Sequence, residues 1–249
     1  MTLLCLVCTG LASVAGYAQM TESPETVAPG RFLLEMDALS LTVDKNGGTK
    51  YTGIGAASTL LSTGLSANWD IQVGGQLFLS QQYEQGGFKE RNSGAGDLYV
   101  RTKWRLFKDA ERGVALAVMP YVKLPTNSGG VGNRSVEGGL IVPWTSKLFG
   151  EWSLGAMVEL DVLRNGADDG FDTAWFASAA ASRQFTKTLG GYVEVAAGKT
   201  SGRGAWASSL GGGITFAISE QAWWDLAVYR GISRDAADWS PVIRFNWGF

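Results

Sequence analysis

Glu159 and Asp161 stand two residues apart, and Arg101, Lys103 and Arg105 repeat that spacing in a row of three. Two carboxylates so placed could share a proton for acid–base work, and a row of cations could hold an anion. The surrounding composition weakens the first idea. There is no histidine, so the chain has no imidazole base, no Ser-His-Asp or Cys-His pair and no HExxH zinc site. Both cysteines, Cys5 and Cys8, lie near the start, which leaves the rest of the chain without thiol ligands or disulfides. Asp168, Asp169 and Asp172 lack EF-hand spacing and read as a solvated loop. Gly138-Gly139 and Gly211-Gly212-Gly213 carry no phosphate-loop Lys-Ser/Thr and lead into no helix. With 21 Lys+Arg against 23 Asp+Glu there is no one-signed field to hold nucleic acid. The expectation is therefore a non-enzyme with no metal and no cofactor.

A spacing of two belongs to strands. Trp152, Leu154, Ala156, Val158, Leu160 and Val162 alternate with Glu151, Ser153, Gly155, Met157, Glu159 and Asp161, giving one apolar face and one mostly polar. Leu98, Val100, Thr102, Trp104 and Leu106 alternate in the same way with Tyr99, Arg101, Lys103, Arg105 and Phe107. Ile71, Val73, Leu77, Leu79 and Tyr83 repeat the pattern against Asp70, Gln72, Gln76, Ser80 and Gln82. Extended along the chain, the pattern predicts twelve strands, the first over 31–44 and the last over 239–249. Short connections such as Asp109–Arg112 alternate with longer ones such as Glu84–Gly94 and Pro125–Asn133, as turns and loops do on the two sides of an outer-membrane barrel.

Aromatic residues mark the strand ends. Trp69, Trp144, Trp152, Trp224 and Trp247 fall toward the short turns, and Tyr83, Trp175, Trp206 and Trp239 toward the long loops. Two such girdles around aliphatic centres describe a wall that crosses a bilayer. A soluble barrel would have to bury these apolar stripes in a narrow interior. The chain ends Ile243, Phe245, Trp247, Phe249, and a terminal aromatic on the apolar face resembles the signal read by the barrel assembly machinery. At the other end, an apolar run over Leu3–Ala15 precedes Gly16-Tyr17-Ala18, a small-x-small site for signal peptidase. The expected organisation is a signal peptide over 1–18, a periplasmic segment over 19–30 and an all-β, antiparallel transmembrane β-barrel over 31–249. It is placed in the outer membrane of a Gram-negative bacterium.

Gly96-Asp97-Leu98, Lys103-Trp104, Pro120, Lys123-Leu124-Pro125-Thr126, Glu137-Gly138-Gly139 and Pro143 follow one another in the central block, with Tyr192-Val193-Glu194 and Asp238-Trp239-Ser240-Pro241 beyond it. This set resembles the outer-membrane transporter family associated with the meta-pathway of phenol degradation. The resemblance implies an outer-membrane barrel and a role in passing small, often aromatic, compounds.

The inward face is expected to carry Arg101, Lys103, Arg105, Lys123, Glu137, Glu159, Asp161, Glu194 and Arg244, joined by Glu35, Asp37, Asp70 and Asp225. Arg101, Lys103 and Arg105, about 7 Å apart, cannot neutralise one another, so Glu159 and Asp161 are expected to face them across the lumen. Pro120 and Pro143, inside strands of a wall without edges, predict bulges. Two functions compete: a channel or transporter for small solutes in contact with outer-membrane lipid, and a structural or adhesion-type barrel with a closed lumen.

Overall fold

Alternation at period two and frequent small residues favour long, strongly bent strands, and the described residues form thirteen: β1 (Phe32–Asn46), β2 (Thr49–Ser66), β3 (Trp69–Gln85), β4 (Phe88–Gly94), β5 (Leu98–Asp109), β6 (Val114–Leu124), β7 (Glu137–Lys147), β8 (Trp152–Arg164), β9 (Phe171–Gln184), β10 (Leu189–Thr200), β11 (Ala207–Ala217), β12 (Ala222–Gly231) and β13 (Trp239–Gly248). The computed structural model describes residues 20–166, 169–202 and 204–249. The expected signal peptide and Asp168 lie outside the described residues.

Neighbouring strands pair antiparallel, β3 skips β4 to pair with β5, and β13 returns to β1. The wall is thus a closed barrel of twelve strands, as the sequence predicts. Closure is what lets strands cross a bilayer, since an open edge would leave backbone groups unpaired in hydrocarbon. The seam is tight: the Phe32 amide donates to the Phe249 carbonyl at 2.8 Å and the Phe249 amide to the Phe32 carbonyl at 2.9 Å. Outward-facing Leu77, Val158, Val193, Leu210 and Ile214 are exposed, and form the apolar surface that contacts lipid.

Four expectations change. The stretch Glu84–Gly94, read as a loop, is the outer end of a β-ribbon: Leu79 through Gln85 pair with Gly94 through Phe88 across a two-residue turn. Gly86 (φ 58°) and Gly87 (φ 83°) supply the left-handed backbone that this turn requires. Pro120 and Pro143 produce no bulge. The β5–β6 register keeps one offset from Arg101↔Tyr121 to Trp104↔Val118, and β6–β7 keeps one from Leu116↔Trp144 to Met119↔Ile141. Each proline sits in a ladder that skips past it. The register shifts lie elsewhere, between Arg105 and Phe107 against β6, between Asp37 and Leu39 against β13 and between Gly64 and Ser66 against β3. Because of the first, Leu106 and Phe107 both face outward, whereas alternation placed Phe107 inside. On β2 the phase also slips: Gly53 and Gly55 are buried above Ala57 and Leu60, Ser62 and Gly64 below it, with Ala57 at φ 52°.

Residues 20–30 differ most from expectation. They lie inside the barrel rather than in the periplasm beyond it, forming a strap that starts where Pro29 bridges to Gly64 and climbs to mid-lumen. Pro24 is fully buried there. Met20 packs against Tyr192, Tyr229, Met157 and Phe176, filling space that side chains of a twelve-stranded wall do not fill alone.

Candidate functional site in the barrel lumen

β5 aims Arg101, Lys103 and Arg105 inward, because residues two apart share a face. Their partners come from the strap. Arg101 Nη2 lies 2.8 Å from Glu22 Oε1, and its Nε donates to Gln72 on β3, the register partner of Arg101. Lys103 Nζ donates to the Glu25 carbonyl at 3.1 Å. Glu25 Oε2 takes Arg105 at 2.7 Å and Lys108 at 2.8 Å. Lower on the strap, the Val27 amide donates to Asp70 Oδ2 at 3.1 Å. Burial alone would raise the Glu22 pKa, but the charges of Arg101 and Lys103 outweigh it and hold the carboxyl below its ordinary range. The two arginines of the column are thus paired with Glu22 and Glu25, two residues that alternation gave no reason to place in the lumen, while Lys103 meets a backbone carbonyl.

Glu159 and Asp161 do not serve that purpose. Asp161, almost fully buried, accepts the Tyr121 hydroxyl at 2.5 Å, and Glu159 lies half-buried on the same strand face. The top of the strap is fixed to β10. Glu194 accepts the Met20 amide at 3.0 Å, the Thr21 amide at 2.6 Å, the Thr21 hydroxyl at 2.5 Å and the Tyr229 hydroxyl at 2.5 Å. Tyr192 donates its hydroxyl to Asp225 at 3.1 Å, and Arg244 Nε donates to Asp37 Oδ1 at 2.7 Å. These tyrosines and the strap glutamates escaped sequence reasoning. The signal for the strap was a column of three cations with a single carboxylate, Asp70, beside it on the adjoining strand.

Above Met20 lies a cavity of about 110 Å³ that opens outward, with Phe176, Tyr229, Leu41, Val242 and Pro241 among its lining. No charged residue lines it among the described residues. A second ionic group sits at the outer rim: Lys123 Nζ lies 3.0 Å from Asp97 and 2.7 Å from Glu137, all three buried. Asp97 also accepts the Asn127 backbone amide at 3.0 Å, and Thr126 accepts the Leu98 amide at 3.0 Å. These contacts latch residues 125–136 against the break between β4 and β5.

Of the expected girdle, Trp69, Trp175, Trp206, Trp239 and Trp247 are exposed. Trp144, Trp152 and Trp224 are half-buried, Trp224 lying 5.0 Å from the Phe245 ring. Tyr83 is half-buried with its ring 4.9 Å from that of Tyr51. Phe249 stacks on Phe32 at 5.4 Å and meets Trp247 at 4.5 Å. The described residues contain no group of three or more metal-ligating side chains.

The sequence profile of the family described as the MetA-pathway of phenol degradation matches residues 16–248. The chain belongs to this family. Four of the residues that carried the resemblance, Asp97, Lys123, Thr126 and Glu137, form the rim latch. Among solved structures, this phenol-degradation family member is similar to an outer membrane channel from Pseudomonas putida F1. That match has 11% identity, 91% of this chain and 98% of that one covered, and a TM-score of 0.69. It is also similar to the NanC porin (9% identity, 86% and 98% covered, TM-score 0.55). The β domain of the Bordetella autotransporter BrkA gives 15% identity, 89% and 100% covered, and a TM-score of 0.56. No curated protein matches the sequence. The shared architecture is that of outer-membrane barrels.

Proposed function

We propose that this barrel is an outer-membrane channel that passes small solutes, aromatic or other weakly polar compounds among them, and that its own strap narrows the path. The observation that carries this is the outward-opening cavity, lined by uncharged groups and floored by Met20, above a lumen whose charged side chains are held by ion pairs and hydrogen bonds. Such a cavity accepts an apolar body without stripping water from an ion, while charges below keep the remaining path hydrated. On this reading Arg101, Lys103, Arg105, Lys123, Glu137, Glu159, Asp161, Glu194 and Arg244 line the path. The tryptophans anchor the wall in lipid, and Phe249 is presented to the assembly machinery. The family description and the outer membrane channel from Pseudomonas putida F1 support transport. With no histidine in the chain, we take the barrel to be non-enzymatic, and purified protein should show no lipase or protease turnover.

The ion pairs that hold the strap favour one other reading, a closed structural barrel. Planar-bilayer recording separates the two. A channel gives small conductance steps in the native protein and larger ones after deletion of residues 20–28. Silence from the native protein, and from a folded deletion variant, would establish the structural barrel.

A further inference from the structure

At the outer rim the lipid-facing side of the sheet turns from apolar to basic within two rows of residues. Register partners share a face, and exposed Trp239 shows which face it is. Its row runs Arg230, Trp239, Val43, Thr52, Gln82 and Arg91 across β12, β13, β1, β2, β3 and β4. Two residues nearer the loops, about 7 Å by strand rise, the next row runs Lys45, Lys50, Glu84 and Lys89 across β1 to β4. Five cations thus share this face with one carboxylate. Glu84 is divided between two of them, 3.8 Å from Lys50 Nζ and 3.3 Å from Lys89 Nζ. Arg230 lies over the Trp239 ring at 5.2 Å, and Arg91 donates from Nε to the Ser80 hydroxyl at 3.1 Å. Among the described residues no carboxylate forms an ion pair with Lys45, Arg91 or Arg230. Asp44 and Glu90 alternate onto the opposite face, and Asp238 accepts the backbone amide of Lys45 at 3.0 Å. Lys45 and Lys50 stand directly opposite one another, an arrangement in which like charges repel. β4 adds nothing to the circle of twelve strands, yet it brings Lys89 and Arg91 to this patch. The turn-side rim differs, since Arg183 is paired there with Glu151 at 3.1 Å and Arg112 with Asp109 at 3.8 Å.

We propose that this patch is the docking surface for a phosphate-bearing lipid of the outer leaflet, whose phosphates lie among Lys45, Lys50, Lys89, Arg91 and Arg230 and whose acyl chains lie on the wall below. The assignment rests on the outer-membrane placement of the barrel and not on conduction. The occupant must be amphiphilic, because exposed Leu39, Phe78 and Val228 continue the same face below the two rows on β1, β3 and β12. A soluble anion would meet the charges and leave that apolar surface unused. An exposed tryptophan under an arginine marks the level of the headgroups, where ring and guanidinium each keep an apolar body and a polar tip. Lysine and arginine at that level attract anionic lipid, and the guanidinium fork matches phosphate oxygens. The bound phosphates would also relieve the repulsion between Lys45 and Lys50.

The test uses the purified native barrel in a zwitterionic detergent, with bis-phosphorylated lipid A as the probe and the same lipid stripped of phosphate as its counterpart. Native mass spectrometry should show the phosphorylated lipid retained and the phosphate-free one lost. Lys45→Gln, Lys50→Gln and Lys89→Gln together should weaken retention about 100-fold, at about fivefold for each cation, in a barrel that still shifts on heating. Glu84→Gln removes the one carboxylate and should tighten retention about fivefold, whereas Arg183→Gln at the turn side should change nothing. In the unaltered chain, lipid A should slow acylation of Lys45, Lys50 and Lys89 while exposed Lys187 on the turn side reacts as before. That footprint decides the outcome if the triple variant does not fold. Equal retention of the phosphate-free lipid, equal retention by the folded triple variant, or equal protection of Lys187 would overturn the proposal. Release of the lipid by millimolar inorganic phosphate at constant ionic strength would overturn it too, since it would mark a site for free anions.

Discussion

Glu22→Gln should loosen the strap by a predictable amount. The Glu22–Arg101 pair is short and mostly buried, Nη2 to Oε1 at 2.8 Å with Arg101 6% exposed. Removing one partner of a buried ion pair costs about 3–5 kcal/mol, because the other charge is left without compensation. Gln72 still accepts from Arg101, and Glu22 keeps 15% exposure of its side chain, so the cost falls at or below the bottom of that range, about 2–3 kcal/mol. This corresponds to a rise of about 30- to 150-fold in the population of the unseated strap. A thiol at position 24 reads it: Pro24 is fully buried in the strap, and a chain processed after Ala18 has no cysteine. In Pro24→Cys barrels, labelling by a bulky maleimide reports transient opening, and adding Glu22→Gln should speed it by that factor. Because the folded Glu22 pKa is lowered, the carboxyl's contribution is complete above the ordinary value of about 4.3 and is lost as pH falls through the depressed one. Dithiodipyridine, which reacts in acid, should find the strap closed from pH 7 to 5 and opening below about 4. Equal labelling rates in the two backgrounds, or opening already at pH 6, would refute the assignment of Glu22 as the strap's main anchor.

Other outcomes follow from the same contacts. Lys103→Glu with Arg105→Glu places two carboxylates against Glu25 and should unseat the strap's lower half, seen as larger single-channel steps in a folded barrel. Lys123→Met leaves Asp97 and Glu137 buried without their cation, a loss of about 3–5 kcal/mol, and tryptic cleavage after Arg134 in the latched loop should accelerate. Deleting Phe249 removes both backbone bonds to Phe32 and the stack on its ring. Heat-modifiable protein in the outer membrane should fall, with strands far from the seam unchanged in the barrel that does assemble.

The wall was legible because lipid imposes a binary rule on every second residue. Val158 and Asp161 declare their sides through hydrophobicity alone, and twelve repetitions of that rule yield the strand number. It fails where backbone geometry breaks the period, as at the Arg105–Phe107 bulge, which turns Phe107 outward, and at Ala57, where no glycine announces the positive φ. The ribbon β3–β4 was hidden by composition, since Gly86-Gly87 reads as loop even though such a pair also makes the tightest hairpin turn. The strap was illegible for another reason. Glu22, Pro24 and Glu25 follow no period, and their position is decided by charges contributed from β5, eighty residues away along the chain for Glu25 and Arg105. Lys123, Asp97 and Glu137 were recognised as a family pattern, but only the fold shows that one ammonium joins both carboxylates.

The strap also sets an order of events. Its partners are separated from it by 43 residues at Asp70, 80 at Arg105 and 173 at Glu194, and they belong to opposite sides of the wall. Docking sites so distant in sequence exist together only once the circle of strands is complete, and the closure entropy of such long loops must already have been met by strand pairing. The strap, synthesised before every strand of the wall, is therefore the last of these segments to find its place. During insertion the barrel is a hollow cylinder, and the late arrival of the strap marks the moment at which it becomes a selective one.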